Sequence, residues 1–240
     1  MQLTLVCAVT DEDTLRDNLL KSRAIKEKQC ELKLFKQHKD EEVFNIASAY
    51  NTGKMQSQTT HVGFIDQHIF LPDTWYTDMM LSLTRITQID SDFGALGVAG
   101  VSGGKISGYV RSCGRVWGSS IGLPKAASTL NEMLIITRKD NVFFDDNSPS
   151  AFILGADLCL QYRMRDLRNY IINAYCHISR SVTTELPDDF EEAKDYLRKK
   201  YLLVKPEYQV FPIRTTGYEI SKQAEIKAPI PIGKKGEKDK

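Results

Sequence analysis

The residues best placed to do chemistry lie in the run Thr60 to Trp75, where an apolar segment, Val62-Gly63-Phe64-Ile65, ends in Asp66-Gln67-His68 and then turns at Leu71-Pro72. A carboxylate and an imidazole two residues apart at a strand end can face one crevice, because side chains in extended backbone repeat every second residue. Together they can hold a divalent cation and the phosphate that it carries. The same Asp also suits the cap of a following helix, which is the structural alternative.

A second acidic pair, Asp11 and Asp13, follows the apolar run Leu3 to Val9. Lys54, Arg111 and Arg115 are cations able to neutralise a phosphate. His177 ends another apolar stretch, Ile171 to Ile178, and suits either a phosphate or metal contact or a hydrogen-bonded strand end.

Elements of α/β type must position these groups. Leu3 to Val9 reads as a buried strand, followed by a helix over Thr14 to Ser22 with Leu15, Leu19 and Leu20 facing inward. Glu31 to Gln37 alternates as a strand, Val43 to Tyr50 has helical spacing, and Val62 to Ile65 is a third strand. A helix after Trp75, a strand at Ala95 to Val101, a strand at Leu130 to Thr137, a helix at Ala156 to Arg168, a strand at Ile171 to Ile178 and a helix at Phe190 to Tyr201 complete the pattern. The glycine-rich span Ser102 to Leu123 reads as turns, hairpin strands or a mobile loop rather than a helix. The expected fold is therefore α/β, Rossmann-like, with a mixed, mainly parallel sheet and helices on both faces. Ligands of such sheets bind beyond the carboxyl ends of the strands, where Asp11, Asp13, Asp66 and His68 would converge.

Composition narrows the function classes. The chain has 240 residues, 42% of them hydrophobic and 26% charged, as in a folded soluble domain. Its 32 basic and 31 acidic residues leave a net charge of +1, so no global field favours nucleic acid. Five cysteines without a close pair read as reduced core residues. No apolar run is long enough to span a membrane, and cytoplasmic residence is the default expectation. Residues 1–205 read as one domain and 206–240 as an extension with a solvated end from Gly233 to Lys240.

The ordered pieces Ile46-Ala47-Ser48-Ala49-Tyr50-Asn51-Thr52-Gly53, Phe64 to Trp75, Gly97-Val98-Ala99-Gly100-Val101, Asn131-Glu132-Met133-Leu134, Phe144-Asp145-Asp146, Asp157-Leu158-Cys159-Leu160-Gln161 and Cys176-His177-Ile178-Ser179 resemble family-two-type glycosyltransferases of the nucleotide-diphospho-sugar transferase (GT-A) fold, in particular the streptomycin-biosynthesis-type subgroup. The resemblance implies an inverting transferase that moves a sugar from a nucleotide-diphospho-sugar to a glycan or other hydroxyl acceptor. It implies a divalent cation at Asp66, His68 and His177. It also implies nucleotide-sugar binding by Asp11, Asp13, Asn51, Lys54, Asp66 and Asn131.

Where the subgroup usually reads His-Gln-Asp this chain reads Asp66-Gln67-His68, and imidazole favours manganese over magnesium. The family's acidic residue is replaced by Gly155, and Asn131 stands where Asp is common. The general base that inversion needs is then expected from Asp157, Asp145 or Asp146. A catalytically degenerate family member acting as a sugar-nucleotide-binding or partner subunit is the alternative function.

Overall fold

The structure, a computed structural model, describes residues 3–37, 44–103, 105–112, 115–118, 121–179, 188–202, 211–212 and 219–220. The first half contains β1 (Leu3–Val9), α1 (Glu12–Asp17), a single helical turn (Leu19–Lys21), α2 (Arg23–Lys26), β2 (Glu31–Lys36), α3 (Ile46–Gln56), β3 (His61–Ile65), β4 (Ile69–Phe70) and α4 (Trp75–Ile89). There follow β5 (Ala95–Gly97), β6 (Ala99–Ser102), β7 (Lys105–Ser112), β8 (Arg115–Gly118), β9 (Lys125–Ala127), β10 (Thr129–Leu130) and β11 (Leu134–Arg138). The remainder is α5 (Leu154–Arg163), β12 (Asn169–Ile171), β13 (Cys176–Ile178), α6 (Phe190–Leu197), a π-helical turn (Arg198–Leu202), β14 (Phe211–Pro212) and β15 (Glu219–Ile220). Apart from those last two short strands, the extension from 206 onward lies outside the described residues, as do Cys113 and the side chain of Arg115.

The central sheet has seven strands in the order β2, β1, β3, β11, β5, β12, β9. β1, β2, β3, β5 and β12 run one way, with β11 and β9 reversed. The alternation of β1 shows how the sequence makes two cores. Val6 and Ala8 turn to one face with Tyr50, Phe64, Leu158 and Leu197, while Leu3, Leu5, Cys7 and Val9 turn to the other with Leu15, Trp75 and Met79. Thus α3, α5 and α6 cover one face and α1 and α4 the other. A helix can lie this close only where its side chain is missing: a Cβ at Gly53 would stand 2.3 Å from Val6 Cγ1.

A second sheet, in the order β10, β6, β7, β13, β4 with β8 beyond β7, abuts the carboxyl end of β3. Two expected strands are divided by it. Ala95 to Val101 splits at Val98, so that β5 pairs with β11 and β12 while β6 pairs with β7 and β10. Ile171 to Ile178 likewise splits into β12 in the central sheet and β13 beside β7 and β4. A continuous apolar run carries no mark of the point at which a chain leaves one buried sheet for another.

The helix expected at Ala156 to Arg168 starts and stops earlier, because Asp166 takes a left-handed φ of 59° that ends the turn closed by Leu167 N–H on Tyr162 C=O. Four cysteines, Cys7, Cys30, Cys159 and Cys176, are buried and unpaired. Burial pushes the thiols of Cys30 and Cys176 up to about 12, which keeps them protonated and inert.

Candidate active site at the carboxyl ends of the strands

Asp66 and His68 close the end of β3 as one unit. The His68 backbone N–H donates to Asp66 Oδ1 at 2.8 Å, and the imidazole Nδ1 lies 2.7 Å from the same oxygen. A carboxylate only accepts, so Nδ1 carries the proton of this bond, and the neutral form of the ring has its lone pair on Nε2. This is the arrangement in which a carboxylate orients a metal-ligating histidine. Backbone bonds fix the loop on both sides: Asp66 N–H donates to Met133 C=O at 3.0 Å, and Ser179 N–H to His68 C=O at 2.9 Å.

Gln67, between them, points the other way and ties two loops together. Its Oε1 accepts from the N–H groups of Thr10 and Asp11 at 3.0 and 3.1 Å, and its Nε2 donates to Thr10 Oγ1 at 2.9 Å. The end of β1 is thereby held against the end of β3. Asp11 caps α1 through the N–H groups of Asp13 and Thr14, and the hydroxyl and N–H of Thr14 lower its carboxyl below the ordinary value. Asp13 is exposed and paired with Arg16 at 2.8 Å.

His177 lies on β13 opposite Phe70 and beside Arg111. Its ring packs between Phe70 and Tyr175, with centroids 5.6 and 4.9 Å away. Burial and then the Arg111 charge lower its pKa below 6.5, which keeps the ring neutral at pH 7. Asn131 turns its Oδ1 back to the N–H of Met133 at 3.0 Å and so shapes the loop that receives Asp66.

Asn51 and Lys54 stand apart from this rim. Asn51 bonds both backbone groups of Phe144 at 2.9 Å and donates to Asp146 Oδ1 at 2.9 Å. Lys54 is 2% exposed and donates to Asp140 Oδ1 at 2.6 Å and Val142 C=O at 2.7 Å. Burial lowers its pKa, against the pull of Asp140. Asp140 follows the far end of β11, so Lys54 sits at the amino ends of β1 and β3. Both residues hold the loop from 140 to 147.

The three expected bases meet different fates. Asp157, one turn into α5, has no exposed surface; it accepts from Tyr201 Oη at 2.6 Å and Gln161 Nε2 at 2.9 Å, and pairs with Lys200 Nζ at 2.8 Å. Asp145 receives the same Lys200 and the Tyr196 hydroxyl. Burial pushes its carboxyl up, but Lys200, Tyr196 and the Asn147 N–H outweigh this and hold it at about 2. Asp146 is exposed, with Asn51 on one oxygen.

Sequence reasoning passed over Gln67 and Glu132. Glu132 accepts from the Gly155 N–H through Oε1 at 3.3 Å, across 23 residues of chain. A polar residue between two chosen ones was the only local sign of Gln67.

Among the described residues no three His, Cys, Asp or Glu side chains gather as a metal cage. Asp66, His68 and His177 are thus not gathered as three ligands, and a cation at this rim would take one or two protein ligands and fill its remaining positions with phosphate oxygens and water. Among the same residues, no helix is long and apolar enough to cross a membrane.

No family model and no curated protein matches the chain. Solved structures do. The structure of S. aureus TarS 1–349 in complex with UDP-GlcNAc aligns with a TM-score of 0.54 at 15% identity, over 84% of this chain and 67% of that one. GalNAc-T7 with UDP, GalNAc and Mn2+ aligns with a TM-score of 0.55 at 9% identity, over 82% of this chain and 47% of that one. The chain spans 66% of TarS 1–349 in another structure and 40% of a longer TarS chain. These likenesses define the class of fold: a mixed α/β sheet of the GT-A glycosyltransferase type.

Proposed function

We propose that the chain is a metal-dependent, inverting glycosyltransferase that passes a sugar from a nucleotide-diphospho-sugar to an acceptor hydroxyl. The observation that carries the reading is the Asp66–His68 unit at the carboxyl end of β3, with His68 Nδ1 held on Asp66 Oδ1 and Nε2 outside that bond. The structural likenesses support it, since the solved TarS and GalNAc-T7 structures hold UDP-GlcNAc or UDP, the latter with Mn2+. The subgroup is proposed on the ordered sequence motifs alone.

In this reading His68 would hold the cation through Nε2 while Asp66 orients its ring, and His177, neutral and beside Arg111, meets the diphosphate. Manganese is favoured over magnesium because imidazole is the softer donor. When bound, the cation would neutralise charge on the departing diphosphate. Asp11 and Asp13 lie where the nucleotide would be held, and Asn131 borders the acceptor. Asn51 and Lys54 serve from behind by fixing the loop that carries Asp145 and Asp146.

Incubation with a panel of nucleotide-sugars and Mn2+, followed by NMR of the released sugar, tests the reading. Turnover with inverted anomeric configuration is the expected result. Absence of hydrolysis and transfer from every donor counts against it.

A second reading is a sugar-nucleotide-binding subunit without transfer. The enclosure of Asp145 and Asp157 by Lys200 and the glycine at 155 favour it. Donor binding without turnover is its signature.

A further inference from the structure

We infer that Glu132 is the general base of the transfer, supplying from the loop between β10 and β11 the carboxylate that α5 lacks at position 155. The inference rests on the glycosyltransferase reading above. Position 155 has no room for an acid of its own: a Cβ there would stand 2.5 Å from the Leu130 carbonyl oxygen, closer than real Cβ atoms approach backbone. The same Cβ would lie 3.1 Å from Glu132 Oε1, so the Glu132 carboxylate occupies the space into which a residue 155 side chain would grow. Gly155 is therefore the condition for Glu132 to be there, and its N–H, at 3.3 Å, orients the carboxylate.

Position points the same way. Met133, the next residue, accepts the Asp66 N–H at 3.0 Å, and Asn131, the preceding one, bonds the Met133 N–H through its side chain at 3.0 Å. Glu132 thus belongs to the loop that borders Asp66 and His68, and it is half-buried rather than sealed. Asp157, by contrast, has no exposed surface and shares Lys200 with Asp145.

The step balances without another reactant. The acceptor O–H gives its proton to the Glu132 carboxylate as the oxygen forms its bond to the anomeric carbon. The bond from that carbon to the diphosphate oxygen breaks, and its electron pair leaves with the nucleoside diphosphate.

The competing role for Glu132 is structural, an acceptor for the amino end of α5, whose own cap residue Ile153 offers no side-chain bond. Glu132→Gln separates the two, because an amide oxygen still accepts the Gly155 N–H but takes no proton. With a donor that wild type turns over, the variant should melt and bind donor as wild type does, lose about 10²–10⁴-fold in kcat, and lose the acid limb of the kcat–pH profile. In Glu132→Ala, added formate should restore part of the turnover. Wild-type kcat and pH profile in Glu132→Gln, or a loss of rate matched by loss of folded protein, overturns the assignment while leaving the glycosyltransferase reading in place. Absence of turnover by wild type itself, measured first, overturns both.

Discussion

The Tyr201 hydroxyl donates a 2.6 Å hydrogen bond to Asp157 Oδ1, and both residues are buried. Lys200, its neighbour in the π-helical turn, pairs with the same oxygen at 2.8 Å, so the end of α6 and one turn of α5 are joined around one charge. Burial, and next the Asp157 charge, raise the Tyr201 phenol far above its ordinary value, which keeps it a donor at every working pH. Asp157→Asn should therefore act on the fold. Urea unfolding should show a loss of about 1.5–3 kcal/mol, the cost of weakening the buried charge-assisted hydrogen bond from Tyr201, while Lys200 keeps Asp145. Donor affinity of the folded fraction should not change. Full stability with abolished turnover would make Asp157 the base instead.

Asp145 gives a pH signature. Its carboxyl titrates at about 2 when folded and at 3.8 ordinarily, so the unfolded chain binds the proton first as pH falls. Its contribution to stability is complete above the unfolded value and disappears as pH drops from about 4 to 2. Asp145→Asn should be less stable than wild type by about 1 kcal/mol at neutral pH, the pair being partly screened by water. The two unfolding curves should converge near pH 2. A constant difference across that window would mean that Asp145 gains nothing from Lys200.

Lys54 offers a test of position. Lys54→Ala removes the partner of Asp140 and the donor to Val142, so thermal or chemical unfolding should show a loss of about 3 kcal/mol. Because the ammonium lies at the opposite end of the sheet from His68, donor affinity should be unaltered in the folded variant. A loss of donor affinity with stability intact would put Lys54 on the diphosphate.

Gly155→Asp restores the residue type expected at that position and should not help. The new Cβ meets the Leu130 carbonyl at 2.5 Å and the Glu132 carboxylate at 3.1 Å. Overpacking of this kind costs about 1–3 kcal/mol. Lower stability without higher turnover is the expected pair of results; a gain in kcat would show that the backbone yields.

The Asp-x-His run was legible because strand, turn and chemistry are contiguous. The two-faced sheet was legible from the apolar strands; the bonds of Gln67 to Thr10 and Asp11 that hold the ends of β1 and β3 together were not. What the chain did not disclose is pairing across distance. Asp157 reads as a helix-start carboxylate until Lys200 and Tyr201 arrive from more than forty residues on. Lys54 reads as a cation for a nucleotide-sugar, yet Asp140 draws it inside at the other end of the sheet. Glu132 acquires meaning only beside Gly155, and no local pattern links them.

The most direct test of the central claim is calorimetric titration of nucleoside diphosphates into wild type and His68→Ala, each with and without Mn2+. The account predicts that wild type binds at least one nucleoside diphosphate in a metal-dependent way and that His68→Ala, still folded, loses the metal-dependent part. No binding to any nucleotide, or binding that neither Mn2+ nor His68→Ala alters, would contradict it.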